Sequence, residues 1–247
     1  MAIHLDLERE GPVLTVTFAR PEARNALNRE TRVALVDLLD DADRDPSVRV
    51  VVVTGSEPAF SAGVDAKQLL SDPAYAPPPI DPATRLRGMA TPTIAAVNGA
   101  CVSGAIEIVL ACSFAIASHR AEFIDTHALL GLTPGWGLSA ALPAAIGVAR
   151  ARQMTLTGLP IDARTALAWG LVNEVVDHSQ LRHRVRRLAE RIAGTPVAAA
   201  TNAVGMYRAV DDDGTARARQ RERDVSAAWE VEAVSSQERF TAGNEGS

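Results

Sequence analysis

From Val48 to Thr54 the chain is β-branched at every position except Arg49, and Gly55 ends the run. Stiff apolar side chains on both faces of an extended segment fit a strand covered on both sides, as in the interior of a parallel sheet. Parallel pairing needs a crossover, and the preceding residues supply one. Asn28 stands where a helix cap belongs, Thr31, Leu35, Leu38 and Ala42 keep helical spacing, and Asp45-Pro46 stops the pattern. Further upstream, Ile3, Leu5 and Leu7 alternate with polar residues, and Val13 to Phe18 follows Gly11-Pro12. The order is hairpin, helix, buried strand, which predicts an α/β core.

Downstream, Thr93 to Val97 and Phe114 to Ser118 read as further short strands, flanking an apolar segment from Gly104 to Ala111. Between Asp72 and Pro82 the prolines at 73, 77, 78, 79 and 82 predict a loop or lid. After Leu159-Pro160 the texture becomes helical. Asp162 caps a helix to about Trp169, Ser179 opens another to Ile192, and Thr195-Pro196 begins a helical stretch to about Phe240. The expected division is a core over 1–194 and a C-terminal helical section over 195–247, with a frayed end from Thr241.

The bulk numbers exclude several function classes. A net charge of −5 gives no general attraction to nucleic acid or anionic membrane. No stretch approaches the roughly 18 apolar residues of a membrane span, and acids occupy the N-terminus where a signal peptide needs basic, then apolar, residues. Cys101 and Cys112 lie in apolar stretches and read as buried thiols, which fits the cytoplasm. The histidines and cysteines show no metal-ligand spacing, so no metal is expected.

Two turns carry the chemistry. In Ala59-Phe60-Ser61-Ala62-Gly63-Val64-Asp65-Ala66-Lys67, small residues surround a glycine after a strand, where backbone N–H groups can be offered to an oxygen. The plain alternative is an ordinary strand-to-helix turn capped by Asp65. In Asn98-Gly99-Ala100-Cys101-Val102-Ser103-Gly104-Ala105-Ile106-Glu107, Gly104 falls at a helix start and Glu107 one turn on, in apolar surroundings that would raise its pKa. Gly135-Trp136-Gly137-Leu138-Ser139-Ala140 has dinucleotide-fingerprint spacing but no strand directly before it. Arg182, Arg184, Arg186, Arg187 and Arg191 form a basic cluster on one helix, the pattern of a solvated face.

Taken together, Arg20 to Asn28 (RPEARNALN), AFSAGVDAKQL from Ala59, and AAVNGACVSGAIEIVLA from Ala95 resemble, in order and spacing, the motifs of the enoyl-CoA hydratase/isomerase (crotonase) family. Leu129 to Gly135 and the segments from Thr155 to Val176 are similar to later family motifs, so the likeness runs from about Val13 to about Val176. The resemblance implies an α/β fold, a crotonase-like spiral of ββα units with C-terminal helices that build trimers or hexamers. It implies an acyl-CoA thioester substrate, with coenzyme A as part of the substrate and no separate cofactor. It also implies an oxyanion hole on the N–H groups of Val64 and Gly104, and coenzyme A contacts around Ala62, Val64, Asp65 and Ala66.

The family's hydratases use two glutamates. The first matches Glu107, and the second position, 20 residues on, holds His127. Asp125 and Thr126 are near but off register. The implied reaction is addition of water across C2=C3 of a 2-enoyl-CoA, with Glu107 activating water and His127 as proton donor. The alternatives are isomerisation, thioester hydrolysis, decarboxylation, or acyl-CoA binding without turnover. Ser103 replaces a family glycine, and with His127 it resembles the Ser–His arrangement of caseinolytic-type proteases. The simpler reading is a small residue in a glycine-like slot. If His127 is a lost glutamate, His127→Glu should raise hydration. A lysine-bearing family terminus is missing from Glu238 to Ala242.

Overall fold

The structure is a computed structural model that describes residues 3–71 and 78–228. The chain opens with β1 (Leu5–Glu10) and β2 (Val13–Phe18), paired antiparallel across Gly11-Pro12 with Glu10 opposite Val13. Helix α1 (Arg29–Arg44) follows, with the Asn28 carboxamide oxygen accepting from the Thr31 N–H, and leads to β3 (Val50–Gly55) and β4 (Ala59–Ser61). Then come α2 (Ala66–Ser71), α3 (Pro82–Gly88), β5 (Thr93–Val97), β6 (Ala100–Val102) and α4 (Gly104–Ala111). Next are β7 (Phe114–Ser118), β8 (Glu122–Ile124), α5 (Leu138–Ile146), α6 (Val148–Thr157) and β9 (Ile161–Asp162). The last elements are α7 (Ala163–Trp169), β10 (Glu174–Val176), α8 (Leu181–Ala193) and α9 (Val197–Ala228).

The strands sort into two sheets with one repeating logic. The larger runs β1-β2-β3-β5-β7-β10, parallel throughout except for the opening hairpin, and the smaller runs β4-β6-β8-β9. Each turn of the chain thus places one strand in the large sheet and the next in the small one (β3 then β4, β5 then β6, β7 then β8), which is a spiral. Val50 to Val53 are buried on both faces, as the β-branched run requires. The main core lies between the sheets and the helices, around Phe18, Phe60 and Phe123.

Three expectations change. Pro82 does not end a loop: the Asp81 carboxylate caps α3 through the Thr84 N–H, and Pro82 takes the first-turn position where a missing N–H costs nothing. Residues 72–77 of that expected loop lie outside the described residues. The region after Leu159-Pro160 is not purely helical, because β10 joins the large sheet beside β7 and β9 joins the small one beside β8. The helices expected from Thr195 are one helix as far as Ala228, preceded by Pro196, whose carbonyl accepts from the Ala200 N–H. Residues beyond Ala228, the Glu238-to-Ala242 segment among them, lie outside the described residues.

Candidate active site

The two turns singled out by sequence meet. Ser103 follows β6 with φ 47°, ψ −106°, and α4 starts at the next residue. Gly63 has φ +78°, and a Cβ there would stand 2.5 Å from the Val102 carbonyl oxygen and 3.2 Å from the Gly104 nitrogen. Only a glycine lets the turns come this close. Neither the Val64 nor the Gly104 N–H has an acceptor among the described residues, and both residues line a cavity of about 80 Å³. Ala62, Ala66, Ser103, Thr126 and His127 line it too. At Gly104 a Cβ would lie 3.0 Å from the Trp136 ring, so the bare glycine lets the indole pack against the helix start. The Arg32 guanidinium carbon is 5.9 Å from the centroid of the same ring.

Asp65 does not line the cavity. Its carboxylate accepts from Arg20 and from the Lys67 and Gln68 N–H groups, and its own N–H goes to the Leu27 carbonyl. Burial opposes its ionisation, but Arg20 and those N–H donors outweigh burial and hold the carboxyl below the ordinary range. Its side chain is a helix cap and ion-pair partner.

Glu107 comes from an α4 that is otherwise apolar (GAIEIVLA), and its side chain is buried. One oxygen, Oε1, accepts both the Trp136 N–H (2.8 Å) and the Leu138 N–H (3.1 Å). Oε2 has no partner among the described residues. Burial pushes the carboxyl up to about 8, because the N–H donors and the nearby His127 only partly offset the lost hydration.

His127 enters from the segment after β8. Its Nδ1 is 2.6 Å from Oδ1 of Asp125, which is fully buried, and Thr155 on α6 donates to the other carboxylate oxygen at 2.6 Å. The same Oδ1 accepts the His127 backbone N–H at 3.2 Å, a local turn that aims the ring. Burial works against protonation of His127, but the Asp125 hydrogen bond and the negative charge near it win, so its pKa rises above the ordinary value. Asp125 is held below its ordinary value by the same pairing in spite of burial. An ionised Asp125 can only accept, so Nδ1–H donates and Nε2 is left for the cavity.

Ser103 and His127 are not hydrogen-bonded. The Ser103 Oγ is 2.8 Å from the Thr126 Oγ1 and accepts the Thr126 N–H at 2.9 Å. The Gly135-to-Ala140 segment has no free phosphate cradle, because Glu107 takes the Trp136 and Leu138 N–H groups, and Glu222 from α9 takes those of Gly137 and Ser139. The arginines at 182, 184 and 186 pair on the surface with Glu8, Glu174 and Glu10. Among the described residues no group of acidic, histidine and cysteine side chains could hold a metal ion, and no helix is long and apolar enough to cross a membrane.

Sequence reasoning missed Asp125, Thr155 and Glu222. The Asp-x-His spacing that makes the local turn was a usable signal for Asp125. Nothing local marks Thr155 or Glu222, which reach their partners from 30 and 85 residues further along the chain.

The family model for enoyl-CoA hydratase/isomerase matches residues 8–241. The chain belongs to that family. Within it, the crystal structure of an enoyl-CoA hydratase from Mycobacterium smegmatis is 40% identical, with a TM-score of 0.82 over 92% of this chain and 98% of that one. An enoyl-CoA hydratase/isomerase from Pseudoalteromonas atlantica is 30% identical, with a TM-score of 0.87 over 97% and 96%. Carnitinyl-CoA dehydratase of Salmonella typhi is 34% identical over 217 residues, 86% of this chain and 83% of that protein. The crotonase spiral and an enzyme of hydratase/isomerase type are therefore established for this chain.

Proposed function

We propose that this enzyme hydrates a 2-enoyl-CoA thioester. What supports the reading is an unengaged carboxylate oxygen on Glu107, electrostatically coupled to an Asp125-held imidazole at His127, with two N–H groups that have no acceptor on the wall of the His127 cavity. The thioester oxygen lies on the Val64 and Gly104 N–H groups, each worth roughly 3–4 kcal/mol as enolate charge develops. Glu107 in its ionised form takes a proton from water as the water oxygen bonds to C3. The electron pair of the C2=C3 bond moves onto the thioester as an enolate, and the His127 imidazolium returns a proton to C2. Glu107, pushed up to about 8, is a strong base when ionised, and a His127 raised by Asp125 keeps the proton it must deliver. Hydration therefore needs Glu107 ionised and His127 protonated together, and should fall at pH values on either side of that window.

Crotonyl-CoA tests this directly. Loss of enoyl absorbance without release of free thiol supports hydration. Thiol release means hydrolysis, and binding with neither change means a protein without turnover. Assembly into trimers or hexamers is part of the same proposal, supported by the exposed Val197, Met206 and Tyr207 on α9. Light scattering at micromolar concentration should then give three or six subunits.

A further inference from the structure

The first turn of α5 is held by two buried carboxylates in alternation. Glu107 of α4 accepts from Trp136 and Leu138, and Glu222 of α9 accepts from Gly137 and Ser139. Glu222 is 6% exposed, although it sits on a long helix whose neighbouring side chains are largely in water. It engages one donor with each oxygen: Gly137 on Oε1, and Ser139 on Oε2 at 2.7 Å. Glu107 puts both donors on Oε1. The two carboxylates are therefore not equivalent. Glu222 has no oxygen left for a reacting water, whereas Glu107 has one whose direction is set by where the Trp136 and Leu138 N–H groups stand.

We infer that Glu222 is a positioning residue for Glu107: by gripping the alternate N–H groups of the same turn, the C-terminal helix fixes that turn and with it the aim of the free Glu107 oxygen. The inference rests on the reading of Glu107 as the group that meets water. Four successive N–H groups at the entry to α5, that of Trp136 before the cap and those of Gly137, Leu138 and Ser139 in the cap and first turn, are divided between the two acids, so releasing one acid loosens the donors of the other. The charged groups around the pair fit this division. Arg87 on α3 lies against Gly137 and interacts electrostatically with both carboxylates, Arg219 stands three residues before Glu222, and His127 faces Glu107 from the other wall. The negative charge of Glu222 also adds to the proton affinity of Glu107, behind the larger effect of burial. The C-terminal helix is then part of the active unit whatever else it does in assembly.

The test is amide hydrogen exchange by NMR on wild type and Glu222→Gln, with crotonyl-CoA hydration measured on the same samples. The expected result is that Trp136 and Leu138, the donors to Glu107, lose protection by roughly fivefold to tenfold along with Gly137 and Ser139. The hydration kcat should fall while KM stays nearly constant. Faster exchange confined to Gly137 and Ser139 with kcat unchanged would overturn the inference, because the two acids would then act independently. If Glu222→Gln does not fold, Glu222→Asp keeps the charge but is too short to grip both donors, and it is read by the same exchange pattern. Coupled exchange in a protein that never hydrates crotonyl-CoA would sink the hydration reading and leave the coupling standing.

Discussion

Glu107 and His127, the two members of the proposed acid–base pair, are held in place by opposite means. Glu107 sits on a helix whose other side chains are apolar, steadied by backbone N–H groups alone, and its surroundings disfavour charge. His127 sits on an irregular segment and is steadied by a chain of side chains, Thr155 to Asp125 to the ring, whose net effect favours charge. One wall tunes by withholding water and the other by supplying a counter-charge. The difference teaches that a histidine in the glutamate slot is not a bare loss, since its supporting carboxylate comes with it. Each arm should then fail in its own way.

The largest effect is expected on the apolar wall. Glu107→Gln keeps shape and burial but cannot take a proton, so hydration of crotonyl-CoA should fall roughly 10²–10⁴-fold. Stability should move the other way, increasingly as pH rises from about 4.5 to about 8. A carboxyl whose folded pKa of about 8 exceeds its ordinary 4.5 binds a proton more tightly in the folded state. It therefore weakens the fold as pH rises through that window. At pH 5 the variant should melt close to wild type, and at pH 9 it should be more stable by up to about 4 kcal/mol. Calorimetry at the two pH values decides, and an equal shift at both would mean that burial is not what raises Glu107.

The histidine wall gives the next largest change. If His127 were simply a missing glutamate, His127→Glu would restore a hydratase. The opposite is expected here, because the new carboxyl would face the buried Asp125 at close range and share a proton with it instead of delivering one to C2. Hydration should fall roughly 10²-fold or more with the donor gone. Adding Asp125→Asn to that variant should recover part of the loss by freeing that proton. A single His127→Glu variant faster than wild type would show that the Asp125 pairing has no bearing on catalysis.

The two walls were also unequally legible in sequence. Glu107 and Gly104 on α4 and Val64 in its turn all stand in contiguous motifs, and periodicity alone placed Thr93 to Val97 and Phe114 to Ser118 on strands whose bounds the structure repeats. The arm behind His127 is assembled from three separate places and has no period to read. Asp125 looked like a register error because motif spacing ranks positions along the chain, whereas its function depends on a turn that folds it back on residue 127. The two- and three-residue strands β9 and β10 escaped for a similar reason: each is defined by its neighbour in a sheet and not by its own pattern. Asp81-Pro82 was readable as a cap followed by a first-turn proline, but the prolines before it pulled the reading toward loop.

Asp125→Asn probes the counter-charge without touching the ring. An amide can offer Nδ1 a hydrogen instead of accepting one, which favours the wrong tautomer and removes the charge that keeps His127 protonated. Hydration should drop roughly 10–10²-fold, and the His127-controlled limb of its pH profile should move to lower pH because His127 then loses its proton sooner. The Glu107-controlled limb should stay close to where it was. Movement of both limbs together would mean that the two walls titrate as one unit and the contrast between them is false.

The smallest expected effect is the sharpest on the comparison. Thr155 lies on α6 and reaches His127 only through Asp125, to which it donates at 2.6 Å. Thr155→Val is nearly isosteric and removes only the hydroxyl. The fully buried Asp125 would lose one charge-assisted donor, which costs roughly 1.5–3 kcal/mol of stability. Asp125 would keep its His127 contacts, so turnover should fall by less than about tenfold, with the His127-controlled limb moving slightly in the direction expected for Asp125→Asn. Thr155→Ser restores the donor and should restore both stability and limb. A stability loss with the limb unmoved would mean that Asp125 is fixed by the Asp-x-His turn alone and that Thr155 serves packing. The histidine arm would then be as local as its partner, two residues on one turn and not a relay across the fold.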